Sequence, residues 1–229
     1  MPILNISKTG IKPAVFAATA GFLALATAVI IPSAATAKVC LPVGLLCIAA
    51  LWLTPWEVFL ALTFSALGDL AGDCNNFLAQ MGAFAVAHVF YILFFIRRYH
   101  RKVEPDRKLT EKAKGYLMMT SFCVLALLAL IFAAVVPEAP AGIIRIGVSI
   151  YSIVICIMLM TALLQRSMLY ALGALLFVIS DFLLAWNMFV HQIPHAGIFI
   201  LGTYYAAQWL LFVRASPYRV AHPVHLLRF

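Results

Sequence analysis

Asp69 and Asp181 are the two residues of this chain whose type and setting best suit chemistry. Each closes a long apolar stretch, Phe64-Ser-Ala-Leu-Gly-Asp69 in one case and Phe177-Val-Ile-Ser-Asp181 in the other. A carboxylate in hydrocarbon is costly, and its retention there points to function. Two carboxylates sharing a low-dielectric cavity cannot both ionise cheaply, so one keeps its proton while the other carries charge. Such a pair supplies an acid and a base in one place. Three reactions use that combination: aspartic peptide hydrolysis, proton-coupled transport, and acid-catalysed cleavage of an acetal-like or enol-ether bond through an oxocarbenium ion.

Other polar side chains stand where they could serve the acids. His88 and Tyr91 are three apart and share a helix face. Beside a carboxylate His88 orients a proton or a water, and elsewhere it satisfies a backbone carbonyl. Tyr151 either points inward or packs, and Tyr204 and Gln208 lie one turn apart on one face. A buried amide needs partners, so Gln208 bridges helices or holds a water. Lys38 is either an interfacial lysine with its head in water or a cation turned toward a phosphate or an acid. Asn75 and Asn76 follow Asp69 in a turn where a lipid head group could rest. Asp73, one turn beyond Asp69, reads as solvated, and His222 and His225 as part of a short basic tail. Cys40, Cys47, Cys74, Cys123 and Cys156 have no metal-ligand spacing and read as packing residues, so no metal and no cofactor is expected.

The elements that must position these groups follow from composition. The chain has 229 residues, 65% hydrophobic and 10% charged, too little polar surface for a soluble globule. Apolar runs long enough to cross a ~30 Å core recur at about 14–31, 38–53, 56–72, 77–96, 116–136, 142–164, 168–190 and 196–213. The expectation is an all-α integral membrane protein, one transmembrane helical domain over 1–229. The first run reads as a retained helix although it opens like a signal peptide. With the N-terminus cytoplasmic, fourteen Lys and Arg residues fall on the cytoplasmic side, eight of them in the basic loop 97–115, against Lys38 and Arg145 outside. That asymmetry favours eight spans with both termini cytoplasmic. The +8 charge is then topological, with anionic lipid as a secondary contact and no reason to invoke nucleic acid.

The chain also reads as two related halves. Ala61-Leu-Thr-Phe64 matches Ala174-Leu-Leu-Phe177, Phe77 and Phe189 each follow an aspartate by eight residues, and Gly82-Ala-Phe84 aligns with Gly197-Ile-Phe199. Both aspartate helices run the same way, which predicts two parallel four-helix pseudo-repeats about an axis along the membrane normal, bringing both acids to one cavity.

The sequence separates the three chemistries in part. An intramembrane aspartyl protease would carry Gly-x-Gly-Asp, and Ala66 stands where the first glycine belongs. A transporter would show Gly or Pro breaks in matching spans, and Pro42 is the clear interior proline. Phe64-Ser-Ala-Leu-Gly-Asp69, Phe77, Gly82, Phe84, His88 and Tyr91, then Gly173 to Asp181 with Leu184, Ala185 and Phe189, closely resemble the YhhN-like lysoplasmalogenase family. Tyr204, Ala207 and Gln208 look like its last-helix signature. The resemblance implies an eight-helix membrane hydrolase that cleaves the sn-1 vinyl ether of lysoplasmalogen. Its products would be a fatty aldehyde and glycerophosphoethanolamine or glycerophosphocholine. The family's acid pair falls on Asp69 and Asp181, and its partners are a lysophospholipid and membrane lipids. In a bacterium the location would be the inner membrane. The family lysine is followed at once by proline, whereas Lys38 precedes Val-Cys-Leu-Pro42, which leaves its role open. The other class consistent with the residues is a proton-coupled transporter or lipid-binding membrane protein using the same acids.

For vinyl-ether cleavage the expected division places Asp181, the deeper group, as protonated donor. Asp69 is the carboxylate that stabilises the cation and activates water.

Overall fold

The computed structural model describes residues 8–30, 39–101 and 110–221. Lys38 lies outside the described residues, as do His222 and His225. Eight α-helices run in chain order among the described residues: α1 Lys8–Ile30, α2 Cys40–Leu53, α3 Trp56–Asp73, α4 Phe77–His100, α5 Glu111–Ala134, α6 Ile143–Leu163, α7 Met168–Phe189 and α8 Ala196–Ala221. A 3-10 turn, Val136–Glu138, joins α5 to α6. Six helices are long and apolar enough to cross a membrane, which makes this an integral, multi-pass membrane protein.

The two helices outside that six differ from the rest for physical reasons. α2 has 14 residues, about 21 Å at ~1.5 Å per residue, short of a ~30 Å hydrocarbon core. α3 carries Glu57, Asp69 and Asp73 within its 18 residues. Elsewhere the helices outrun the apolar stretches that mark them. α1 begins at Lys8 and α8 continues to Ala221, because a helix does not stop where hydrocarbon-like sequence stops. α5 starts at Glu111 rather than near 116, behind a cap in which the Ala113 amide donates to the Thr110 hydroxyl at 3.3 Å.

Contacts between neighbours fix the helices in alternating directions. At one end of the bundle Arg97 donates to Glu57 at 2.8 Å, and Arg98 donates to Gln165 at 3.1 Å. The guanidinium groups of Arg98 and Arg214 both lie on the Tyr170 ring, and the Tyr116 hydroxyl donates to the Leu163 carbonyl. At the opposite end the Phe77 and Phe189 rings meet edge to face at 5.5 Å. α3 packs most extensively on α4, and α7 on α8. α1 belongs to the bundle, since Phe22 is buried against Tyr205 and the Trp209 indole donates to Thr19. α5 sits at the periphery, docked on α6 and the 3-10 turn. Arg145 straps that corner by donating to the carbonyls of Pro137 and Ala139.

Candidate active site

α4 carries its interior residues at helical spacing: Phe77, Gln80 and Met81, Phe84, His88 and Tyr91 fall on one face. The first four of these line an apolar cavity in the half of the bundle away from Arg98. α5 contributes Ile131 and Val135, α6 contributes Val148, Tyr151, Ser152 and Ile155, and α7 contributes the face from Val178 through Asp181 to Phe189. The cavity is therefore walled by aliphatic and aromatic carbon with few polar groups. Ser152 donates to the Val148 carbonyl of its own helix, so Asp181, Tyr151 and Gln80 are the polar groups that remain to meet a ligand.

Asp181 is held rather than loose. The Tyr151 hydroxyl donates to its Oδ2 in a short hydrogen bond. His88 Nε2 lies 2.9 Å from the same hydroxyl and 3.4 Å from Oδ2. With the phenolic proton directed at the carboxylate, the His88 Nε2–H donates to the phenolic oxygen, leaving Nδ1 as a lone-pair acceptor. That Nδ1 is buried without a partner. The imidazole meets the Phe177 ring at 4.6 Å, which fixes its plane. The Asp181 side chain keeps 13% of its surface accessible, toward the cavity, while His88 has none.

Asp69 occupies a different environment and, at 4% exposed, is the more deeply buried of the two acids, which reverses the depth expected from sequence. It does not line the cavity. The Tyr204 hydroxyl donates to its Oδ2 at 2.9 Å, linking α3 to α8. The Tyr204, Phe84 and Phe177 rings pack edge to face, with centroids 5.5 to 6.3 Å apart. Gly68 makes this possible, because a Cβ there would come within 3.1 Å of the Phe84 ring. Phe84 and Phe177 thus pack on the ring of the tyrosine that holds Asp69, and Phe84 also lines the cavity. One turn further along, the Tyr91 hydroxyl donates to Gln208 Oε1 at 2.8 Å.

The residues singled out from sequence thus fall into groups. Asp181, Tyr151 and His88 form one bonded cluster on the cavity; Asp69 with Tyr204, and Tyr91 with Gln208, form bonded pairs in the interior. Asn75 and Asn76 are exposed in the α3–α4 turn and do not line the cavity. Asn75 takes a positive φ of 58°, and the Asn76 side chain caps α4 by accepting from the Ala79 amide. Asp73 corrects the expectation of a solvated acid. It is half-buried, with one carboxylate oxygen sheltered and unpartnered, because helix packing persists to the last residue before the exposed turn.

Sequence reasoning missed Gln80, Met81 and Ser152 on the cavity wall. Counting back from His88 by helical turns would have found Phe84, Met81 and Phe77. It also missed Ser65 on α3, fully buried with its hydroxyl unpartnered. The cysteines are free and scattered. Among the described residues no group of three His, Cys, Asp or Glu side chains could hold a metal ion.

Comparison with known proteins places this architecture. The model of the YhhN family matches residues 33–215. The chain is 32% identical over 157 residues to lysoplasmalogenase TMEM86B of Sus scrofa, which covers 68% of this chain and 62% of that protein. It is 32% identical over 184 residues to lysoplasmalogenase TMEM86B of Homo sapiens, covering 77% of this chain and 73% of the relative. It is 28% identical over 172 residues to lysoplasmalogenase TMEM86A of Bos taurus, covering 69% and 65%. The match therefore spans less than two thirds of the pig protein's length. No solved structure matches the chain.

Proposed function

Because the chain belongs to the YhhN family, we propose that it hydrolyses the sn-1 vinyl ether of a lysoplasmalogen, as the names of its relatives suggest. The products are a fatty aldehyde and glycerophosphoethanolamine or glycerophosphocholine. The observation that carries this reading is a half-buried carboxyl, Asp181, held by Tyr151 on the wall of an apolar cavity. An aliphatic chain suits such a lining, and the one reactive carboxyl at its wall suits an acid-labile bond.

In this proposal Asp181 gives its proton to the vinyl carbon distal to the ether oxygen. The C–H bond forms at the expense of the C=C π bond, and the oxygen shares the resulting positive charge. Asp181 is then the adjacent carboxylate, and Asp69, held by Tyr204 off the cavity, adds negative charge. Acting in a low-dielectric interior, that charge stabilises the cation without contact. Water attacks the oxocarbenium carbon and returns a proton to Asp181, restoring the acid. The hemiacetal then collapses to aldehyde and glycerol hydroxyl, so one water is consumed per turnover. Tyr151 and His88 hold the Asp181 carboxyl in place through this cycle. Tyr204 orients Asp69, and the Tyr91–Gln208 bond ties α4 to α8 beneath it.

The proposed membrane arrangement has all eight helices crossing, the short α2 by local thinning of the bilayer, with both termini cytoplasmic and the Arg97–Arg98 end inside. The halves are related as parallel repeats, in which Phe77 and Phe189 correspond and Asp69 and Asp181 correspond. Lys38, Asn75 and Asn76 are assigned to the outer end, where a head group would lie.

Aldehyde release from a 1-alkenyl lysophospholipid by the purified protein, with a 1-acyl lipid as control, tests the reading. Aldehyde from the alkenyl lipid alone supports it. Fatty acid from the acyl control would mean a lysophospholipase instead. No product from either lipid, with the protein folded, would shift the assignment to transport or lipid binding.

A further inference from the structure

On the reading of this cavity as the substrate chamber, the geometry points to Met81, seated over Gly147, as the element that selects the aliphatic chain. Gly147 lies on α6 one turn before Tyr151, and its neighbour Val148 lines the cavity. A Cβ added at Gly147 would stand 2.3 Å from the Met81 Cε and 3.4 Å from its Sδ. The absent side chain is thus the space into which the thioether folds. Of the atoms around Gly147 the nearest belong to the far end of a flexible, unbranched side chain. Met81 also lines the cavity, so the accessible direction of displacement is into the chamber. The size of residue 147 therefore sets how much room the chamber offers one turn from Tyr151, and Met81 is its movable wall.

The ligand class follows from the lining. The cavity that Met81 lines also takes Phe84, Val148, Tyr151 and Phe182 into its wall, and its accessible surface is almost wholly carbon. That section takes a hydrocarbon chain, and it discriminates by volume because a close-packed apolar slot responds to single methylene differences by roughly 10- to 200-fold.

The test uses full-length purified protein and two probes that cannot be hydrolysed, a short-chain and a long-chain saturated 1-alkyl lysophospholipid. Gly147→Ala is expected to weaken binding of the long-chain probe by about tenfold relative to the short-chain one. Met81→Ala in the same protein is expected to restore it, and Met81→Ala alone to favour the bulkier chain. Equal binding of both probes to Gly147→Ala and parent would overturn the inference. So would an equal loss of both that Met81→Ala does not relieve, since that is a general packing defect. Aldehyde release is scored separately. Chain-selective binding without release would uphold Met81 while rejecting vinyl-ether hydrolysis, and release with unchanged chain preference would do the reverse.

Discussion

Asp69 and Asp181 are a matched pair in sequence and an unmatched pair in space. Both are bonded by a tyrosine hydroxyl from a distant helix, Tyr204 on α8 for Asp69 and Tyr151 on α6 for Asp181. Asp181 keeps a face on an apolar cavity, while Asp69 is buried off that cavity, bonded to a tyrosine whose ring packs on Phe84 and Phe177. The difference lies in the neighbouring glycine and rings. Gly68 admits the Phe84 ring against α3 next to Asp69, whereas the residue before Asp181 is Ser180, whose hydroxyl donates to the Ile200 carbonyl and ties α7 to α8 on the other side. Equal chemistry at two places has become one group able to touch a ligand and one able to act by charge alone.

That contrast can be broken by substitution. Asp181→Asn removes the proposed proton donor and is expected to lower turnover by roughly a hundredfold to ten-thousandfold, with folding intact, as read by aldehyde release and by elution as a single species. Tyr151→Phe keeps the acid but removes its donor. A loss of about ten- to a hundredfold is expected, since hydrogen bonds to charged groups contribute about 1.5–3 kcal/mol. Asp69→Asn still accepts from Tyr204, and its expected loss is about tenfold, or about 1.4 kcal/mol at the transition state. A defect for Asp69→Asn as large as that of Asp181→Asn would show that the sealed acid meets the substrate after all. Tyr204→Phe leaves a buried acceptor unmet, so it should cost about 1–3 kcal/mol of stability, seen as a lower melting temperature, with turnover per folded molecule largely kept. The smallest effect is expected of Asn76→Ala, which removes the α4 cap at a cost of about 1 kcal/mol of stability, seen as a slightly lower melting temperature.

Much of this was legible in the residues because bilayers impose simple rules. Long apolar runs gave the helices, and acids within them marked the interior at Asp69 and Asp181. What stayed hidden depends on angular placement. Sequence placed both acids at one cavity, but a helix face shifts by 100° per residue, and whether Phe84 stands between an acid and a void is a matter of packing. The helices run past the apolar spans at Lys8, Glu111 and Ala221, where backbone hydrogen bonding continues beyond the apolar stretch. The cavity wall at Met81 was invisible for a related reason: nothing about a methionine announces that a glycine on another helix has made room for it.

The bond between Asp69 and Tyr204 has a consequence for how the molecule is made. The two residues are 135 positions apart, so at about 5–20 residues per second the ribosome delivers the tyrosine roughly 7 to 27 s after the acid. Until then the α3 carboxyl group awaits its partner. α8 follows all the other described helices and is the one that closes this acid in, so a chain halted before α8 would hold an unfinished interior.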